Sequence, residues 1–386
     1  MADTVRVGLD EVVRHFAELD DPRSPVNRRY PLESVVVIAL MAVLAGADGP
    51  TAIARWAALK ADLLSRTLDL PHGVPCRDVF RRVLSALRPE AFQACFAGWL
   101  NALREAAAEA TGITRPVLSV DGKTARRSHD RKRGLGPLHA VSVWAGEFGL
   151  TLGQVACDER SNEITAIPEL LKLVDVTGAI VTVDAMGAQK KIAARIVANG
   201  ADYVLAIKGN QEATHRSVVA HVEDAIANDL ADSKARCHVV RDTGHGRNET
   251  RTYVQMPAPR NLPGLAAWPG LRTVGAVILC GSRDGREFVH TRYYISSLPL
   301  GVKQFARAVR GHWSIENACH WSLDVTYRED DSRIRTELQR ENIAWLNRFT
   351  LSLLKQHPGR GSLAMKRRSC GWDDGFLIQV LTGQGT

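Results

Sequence analysis

The chain has 386 residues, enough for roughly two or three folding units and a sizeable core. Hydrophobic residues make up 45% and charged residues 24%, a balance that excludes global disorder and fibrous architectures. Lys and Arg number 50 against 42 Asp and Glu, and the resulting +8 favours polyanionic partners, above all nucleic acid. The seven cysteines form no CxxC pair, which argues against a disulfide framework or a Cys-rich zinc site and fits a reducing cytoplasm. The longest apolar stretch, Val35 to Ala47, is too short to span a bilayer, and the first residues lack a signal-peptide apolar region, so no membrane partner is expected.

Residues 1–110 read as a helical N-terminal domain. Leu9–Leu19 is amphipathic, Asp20–Tyr30 is a Pro-containing basic loop, and Leu32–Ala47 is apolar nearly all round, as in a core helix. Further helical patterns cover Thr51–Leu68, Arg77–Leu87 and Ala91–Ala108, punctuated by Pro71, Pro75 and Pro89. Residues 111–236 change character. Pro116–Val120 and Ala179–Val183 are short continuous apolar strands; His139–Trp144 and Leu150–Cys157 alternate like paired strands; Tyr203–Ile207 is a fifth strand, and Gln189–Ala198 is helical. Strands followed by helices predict a mixed α/β core. Residues 237–299 return to β, with strands expected at Glu249–Met256, Thr273–Leu279 and Glu287–Ile295, and read as an insertion outside the central sheet. Two helices, about 302–325 and 337–356, complete the core within residues 300–356; residues 357–386 read as a basic tail with one short helix.

Asp121 and Asp184 hold equivalent places, each ending a buried apolar run: Pro-Val-Leu-Ser-Val-Asp121 and Ala-Ile-Val-Thr-Val-Asp184. In open α/β sheets ligands gather outside such strand ends. Carboxylates converging there repel, and a divalent cation resolves the repulsion. Glu316, in the helix around Val309–Asn317, is the third candidate. Three acids without nearby Cys suit Mg²⁺ or Mn²⁺, and two such ions support phosphoryl transfer. The bland alternative is that each Asp is a turn or cap residue. A rival site uses His312, Glu316, His320 and Asp324, which recur every four residues and could hold zinc or iron, although no HExxH is present.

Several motifs stand in a specific order. They are Asp121-Gly-Lys-Thr; Ser161-Asn-Glu-Ile with Ala166-Ile-Pro; Val183-Asp184-Ala-Met with Gln189; and Asp202-Tyr-Val-Leu-Ala-Ile-Lys-Gly-Asn-Gln211. They continue with His245-Gly-Arg and Glu249, His312-Trp-Ser-Ile-Glu-Asn, His320-Trp-Ser-Leu-Asp-Val, and Glu329-Asp330 with Arg333 and Arg335. In this order they resemble the transposases of the ISAs-one insertion sequences, the H-repeat-associated proteins, within the wider DDE group that includes IS-four-like members. Asp21-Pro-Arg and Arg77–Trp99 resemble that family's associated N-terminal domain, and Gly371-Trp-Asp-Asp its tail. The resemblance implies an RNase H-like mixed-sheet core of α/β class, with a β-rich insertion and an N-terminal helical domain. It also implies Asp121, Asp184 and Glu316 as catalytic metal ligands, and two Mg²⁺ or Mn²⁺ ions. The IS-four-like signature Tyr-x2-Arg-x3-Glu-x6-Lys is not kept: Val309, His312 and Leu323 replace its Tyr, Arg and Lys. Arg310, His312 and His320 are candidate substitutes for the phosphate contacts so lost.

Other residues suit DNA. Lys123, Arg126, Arg127, Arg131, Lys132 and Arg133 crowd into one run beside Asp121, to bind phosphate or to form a solvated loop. His245, Arg247, Glu249 and Arg251 alternate along a strand, as phosphate ligands or as a salt-bridge ladder. Lys208 ends the fifth strand, with Asn210 read as a helix cap. Ser161-Asn162-Glu163 reads as a helix start, with Glu163 a lesser candidate acid. Trp268 either stacks on an extruded base or packs in the interior; Trp313 and Trp321 are expected to pack the catalytic helix. The function expected is a transposase that binds terminal inverted repeats and target DNA, cleaves strands and joins them, as a homodimer on DNA in the nucleoid-bearing cytoplasm. The alternatives are a nuclease that does not join and a silent DNA-binding remnant.

Overall fold

The computed structural model describes residues 9–157, 162–231, 233–244, 247–259, 261–283 and 286–383. The chain divides into two compact units built from interleaved segments. The first gathers Met1–Thr114, Gly122–Arg160 and Glu316–Thr386; the second gathers Arg115–Asp121 and Ser161–Ile315.

The first unit opens with helices α1 (Leu9–Arg14), α2 (Leu32–Leu44), α3 (Pro50–Leu59), α4 (Ala61–Thr67), α5 (Arg77–Ala86), α6 (Pro89–Ala94) and α7 (Ala97–Thr111). Pro50 and Pro89 each begin a helix, where a missing N–H costs nothing and φ is already helical. The basic loop before α2 is organised by Asp21, whose carboxylate accepts from Arg23 Nε at 2.9 Å and Nη2 at 2.7 Å, while Nη2 also donates to Tyr30 O. α2 is buried along nearly its whole length, as its all-round apolar sequence predicts.

Strand β1 (Val117–Ala125) belongs to both units, Val117–Asp121 to the second and the rest to the first. β2 (Leu138–Ala145) and β3 (Leu150–Cys157) pair antiparallel around a turn closed by Gly149, whose φ of +66° favours glycine. The order in this part is β3-β2-β1.

The second unit continues with α8 (Glu163–Leu173), β4 (Ile180–Val183), α9 (Lys190–Ala198), β5 (Asp202–Ile207), α10 (Glu212–Ala227), β6 (Arg236–Gly244), β7 (Arg247–Pro257), β8 (Thr273–Arg283), β9 (Arg286–Ser296) and α11 (Val302–His312). Its sheet runs β1-β4-β5-β9-β8-β7-β6. β1, β4 and β5 are parallel; β9, β8, β7 and β6 follow antiparallel. The β-rich segment 237–299 therefore does not lie outside the central sheet but continues it: β9 bonds directly to β5, with Val204 opposite Ser296. Two-faced apolar strands such as Thr273–Ile278 find their burial by extending the existing sheet. α11 lies on this sheet through Phe305, Ala308 and Val309, against Val117, Ile180, Val204, Tyr253 and Tyr294.

The expected single helix over 302–325 is interrupted. A π-helical turn, Ile315–His320, separates α11 from α12 (Trp321–Val325). The first unit then ends with α13 (Glu337–Gln356), α14 (Leu363–Trp372) and α15 (Asp374–Thr382). α13 is its central element: Trp345 and Phe349 pack against Phe96, which also meets Phe16 and Phe92. Asn342 Nδ2 donates to the carbonyls of Leu84 and Leu87 at the end of α5. The expected basic tail is folded too. Arg367 is buried, donates to Val43 O and Thr326 O, and stacks on the Tyr327 ring at 4.0 Å. The whole is a mixed α/β fold with an RNase H-like core. Among the described residues no helix is long and apolar enough to cross a membrane.

Candidate active site

The parallel register of β1 and β4 sets Val120 opposite Val183. Asp121 and Asp184 are therefore the next residues along two neighbouring parallel strands, about 4.8 Å apart in a regular sheet, but only β4 ends there: β1 runs on through Asp121 to Ala125, so the strand end expected at Asp121 is instead the point where β1 parts from β4. Both are partly exposed, while the four residues before each are buried, so the buried strand segments anchor the acids that follow them. Asp184 Oδ1 accepts the Gly187 N–H at 2.9 Å, which turns the chain and orients the carboxylate.

α11 crosses the same two strands. A Cβ on Gly311 would sit 3.1 Å from Val117 Cγ1, so the helix lies close to β1 there, and Ser119 Oγ donates to Gly311 O at 3.2 Å. The next residue, His312, shares a hydrogen bond of 3.0 Å with Thr182 Oγ1 on β4. Burial lowers the His312 pKa to about 4, against the opposing pull of Asp184, so the imidazole is neutral at pH 7. Arg292 on β9 stacks its guanidinium on Trp313 at 4.5 Å and is exposed, as is Arg310. Sequence reasoning did not single out Arg292: nothing in its strand marks it until the pairing with Trp313 is seen.

Glu316 lies exposed within the π-helical turn, in the first unit. In that unit His320 is held neutral, its pKa lowered to about 3 by burial and then by Arg348, Lys123 and His139. Of the rival His–Glu–His stripe, His312 bonds Thr182 in the second unit, while in the first unit Glu316 lies in the π turn and His320 sits among cations. Among the described residues no group of three or more His, Cys, Asp or Glu side chains is arranged to hold a metal. What the second unit offers is a carboxylate pair. Its donors are all oxygen, one of them already oriented by a backbone N–H, and that chemistry fits a hard divalent ion.

The basic run is only partly available. Lys123 is buried, with Nζ 2.6 Å from Asp324 Oδ1 and 3.4 Å from Asp330 Oδ1. Arg126 meets Asp330 at 3.1 Å and Arg127 meets Asp331 at 3.3 Å, yet both remain mostly exposed. Arg131, Lys132 and Arg133 are exposed. Arg251 is half-buried between Glu249 and Asp242, the ladder arrangement. His245 and Ser161 lie outside the described residues, as does the side chain of Arg247. Lys208 is exposed. Asn210 is not the cap of the following helix; its side chain bonds Ala185 O at 2.6 Å. Trp268 is a packing residue, 3% exposed with Nε1 bonded to Thr214 Oγ1, which removes it from base stacking. Trp321 departs the other way: 58% exposed, it does not pack the helix.

Residues 112–354 match the model of the transposase DDE domain, and residues 13–100 match its associated N-terminal domain. The chain belongs to the DDE transposase family, in its H-repeat-associated branch, and is a transposase. Along 98% of its length it is 32% identical to the Escherichia coli K12 "H repeat-associated putative transposase YhhI", covering 99% of that protein. It is 34% identical to the "Putative transposase YncI" of Escherichia coli O157:H7, over 97% of this chain and 95% of the relative. A Xanthobacter autotrophicus "Uncharacterized protein in dhlA 3'region" is 38% identical over 73% of this chain and 92% of its own length.

Proposed function

We propose that the chain binds the terminal inverted repeats of a mobile element, cleaves DNA strands there, and joins a 3′-hydroxyl to target DNA. The observation that carries this is the registered pair Asp121 and Asp184, each following the last residue paired between β1 and β4. On this reading the pair holds Mg²⁺ or Mn²⁺, with Glu316 completing the set. Bound there, two such ions supply a nucleophilic hydroxyl and stabilise the leaving oxygen. The chain's own groups do the rest. Thr182 and His312 keep α11 seated on β4 by a neutral hydrogen bond. Exposed Arg292, Arg310 and Lys208 draw phosphate toward the strand ends, and the cations at 126, 127 and 131–133 extend the electrostatic footprint. Homodimer assembly on DNA belongs to the same proposal.

The test is strand cleavage of a supercoiled plasmid carrying the gene with its genomic flanks, in Mn²⁺. Asp121→Asn, Asp184→Asn and Glu316→Gln should each lose cleavage by about 10³-fold or more while still retarding the DNA. Normal cleavage by any of them removes that residue from the site. Products that are cut but never joined would favour a nuclease instead.

A further inference from the structure

The loop that carries Asp184 is held from outside itself. It spans 184–189, between β4 and α9, and is too short for regular backbone pairing. Its carbonyls are instead met by side-chain amides. Asn210 Nδ2 donates to Ala185 O at 2.6 Å, and Gln211 Nε2 donates to Ala188 O at 3.1 Å. Gln211 Nε2 also reaches Gln189 Oε1 at 3.2 Å, and Gln189 Nε2 turns back to Met186 O at 3.3 Å. The parallel register explains the meeting. Val183 lies opposite Leu205, so the segment leaving β5 at Lys208–Gln211 emerges beside the segment leaving β4. The middle of the loop admits no side chain: a Cβ on Gly187 would lie 2.3 Å from Val183 Cγ1 and 2.9 Å from Ile167 Cδ1. Gly187 is also the residue whose N–H holds Asp184 Oδ1.

We propose that Asn210, Gln211 and Gln189 form an amide clamp of positioning residues for the reaction, fixing the Asp184 carboxylate through its backbone loop. The inference rests on the assignment of Asp184 above. Amides suit the task. Each carries two donors and an acceptor, so one side chain bridges two loop groups. They neither titrate nor carry charge, so they hold a carboxylate loop without competing for a cation or repelling phosphate. The two motifs the sequence set apart, Asp184-Ala-Met-Gly-Ala-Gln and Lys208-Gly-Asn-Gln, become one device.

The test uses the full chain and reads backbone exchange as well as activity. Hydrogen–deuterium exchange of peptides covering 184–189 should quicken by about 10-fold in Asn210→Ala and Gln211→Ala, while β5 and α11 keep their protection. Mn²⁺-supported cleavage of the same plasmid should need about 10-fold more Mn²⁺ for half-saturation. Gln211→Glu preserves volume but loses the donors, and should behave like Gln211→Ala; parental behaviour would make the role mere packing. Gln189→Ala removes the bonds to Met186 O and Gln211 Nε2 without touching residues 210 and 211, and gives the same readouts if either Asn210 or Gln211 variants fail to fold. Unaltered exchange over 184–189, or an unaltered Mn²⁺ requirement in folded variants, overturns the clamp. Asp184→Asn separates the two ideas: if it cleaves normally the site assignment falls, whereas if it is dead and the clamp variants match the parent, the clamp alone falls.

Discussion

The loop after β4 and the turn after α12 are both held by side chains from elsewhere in their own units, but with opposite chemistry. The 184–189 loop is fastened by uncharged amides from residues 210 and 211. The 324–331 turn is fastened by ions: Lys123 to Asp324 and Asp330, Arg126 to Asp330, and Arg127 and Arg328 to Asp331. Amide bonds are indifferent to salt and pH. Exposed ion pairs are weak, are screened, and exchange readily when a stronger anion such as phosphate arrives. On the proposed function, the carboxylate that must stay aimed is held the first way, and the exposed Arg126 and Arg127 that would be handed to DNA are held the second way. The charged turn needs a firm base, and it has one: Glu329 Oε1 and Arg348 Nη1 pair at 2.8 Å, both buried, with Arg348 Nε also on Ser142 Oγ.

The largest effect should come from breaking that base. Arg348→Met leaves the Glu329 carboxylate buried without its cation, and unfolding measured in urea should show a loss of about 3–5 kcal/mol. Joint replacement with Glu329→Leu should recover part of it; if the single variant is as stable as the parent, the turn is not founded on this pair. A smaller loss follows from each unit of acidification below pH 6.5. His320 and His312 have pKa values lowered to about 3 and about 4, first by burial, against 6.5 when unfolded. Below pH 6.5 the unfolded chain takes up protons that the folded chain refuses, so stability is full near pH 7 and falls as pH drops toward 4. Each imidazole contributes about 1.4 kcal/mol per pH unit to that fall. His320→Gln should flatten the stability profile between pH 6 and pH 4; an unchanged slope would mean that His320 charges in the folded state.

Much of this was legible in the sequence, for definite reasons. Continuous apolar runs before Asp121 and Asp184 announced two buried strand segments, and the parallel register of β1 and β4 puts the two acids side by side, although β1 runs on past Asp121 to Ala125. The all-apolar Val35–Leu44 announced a core helix, and it is one. What stayed hidden depends on partners far apart in the chain. The β-rich character of 237–299 identified strands at Glu249–Met256, Thr273–Leu279 and Glu287–Ile295 but not the sheet they join, because an edge carries no sequence mark for which strand it will meet. Asn210 reads locally as a cap, and only the β4–β5 register reveals that its amide faces Ala185 O. The sequence left Trp268 open between stacking and packing and expected Trp321 to pack, because aromatic residues are apolar enough to pack and flat enough to stack; burial decides, at 3% for Trp268 and 58% for Trp321.

The exposed cations sharpen the comparison from the DNA side. Replacing Arg126, Arg127, Arg131, Lys132 and Arg133 together by Ala should reduce the slope of log affinity against log salt by about 1 for each residue that meets a phosphate. Lys123→Ala, by contrast, removes a buried cation already committed to Asp324 and should alter stability more than slope. An unchanged slope in the fivefold variant would make the run a solvated loop.

The smallest expected effect bears most directly on the contrast between the two fastenings. Raising NaCl from about 50 mM to about 1 M shortens the screening length from about 14 Å to about 3 Å. The Arg127–Asp331 and Arg328–Asp331 contacts are solvent-facing and should loosen, so amides of the 328–331 turn should exchange about two- to threefold faster. The 184–189 loop has no ion among its fastening contacts to residues 210 and 211, so its amides should keep their rates within about 1.5-fold. The two segments are read in one sample, so any general effect of salt on the chain cancels in their ratio. A loop that loosens in step with the turn would show that charge, and not the amide clamp, holds Asp184 in place; a turn that ignores salt would show that its cations are fixed by burial and are not released to phosphate.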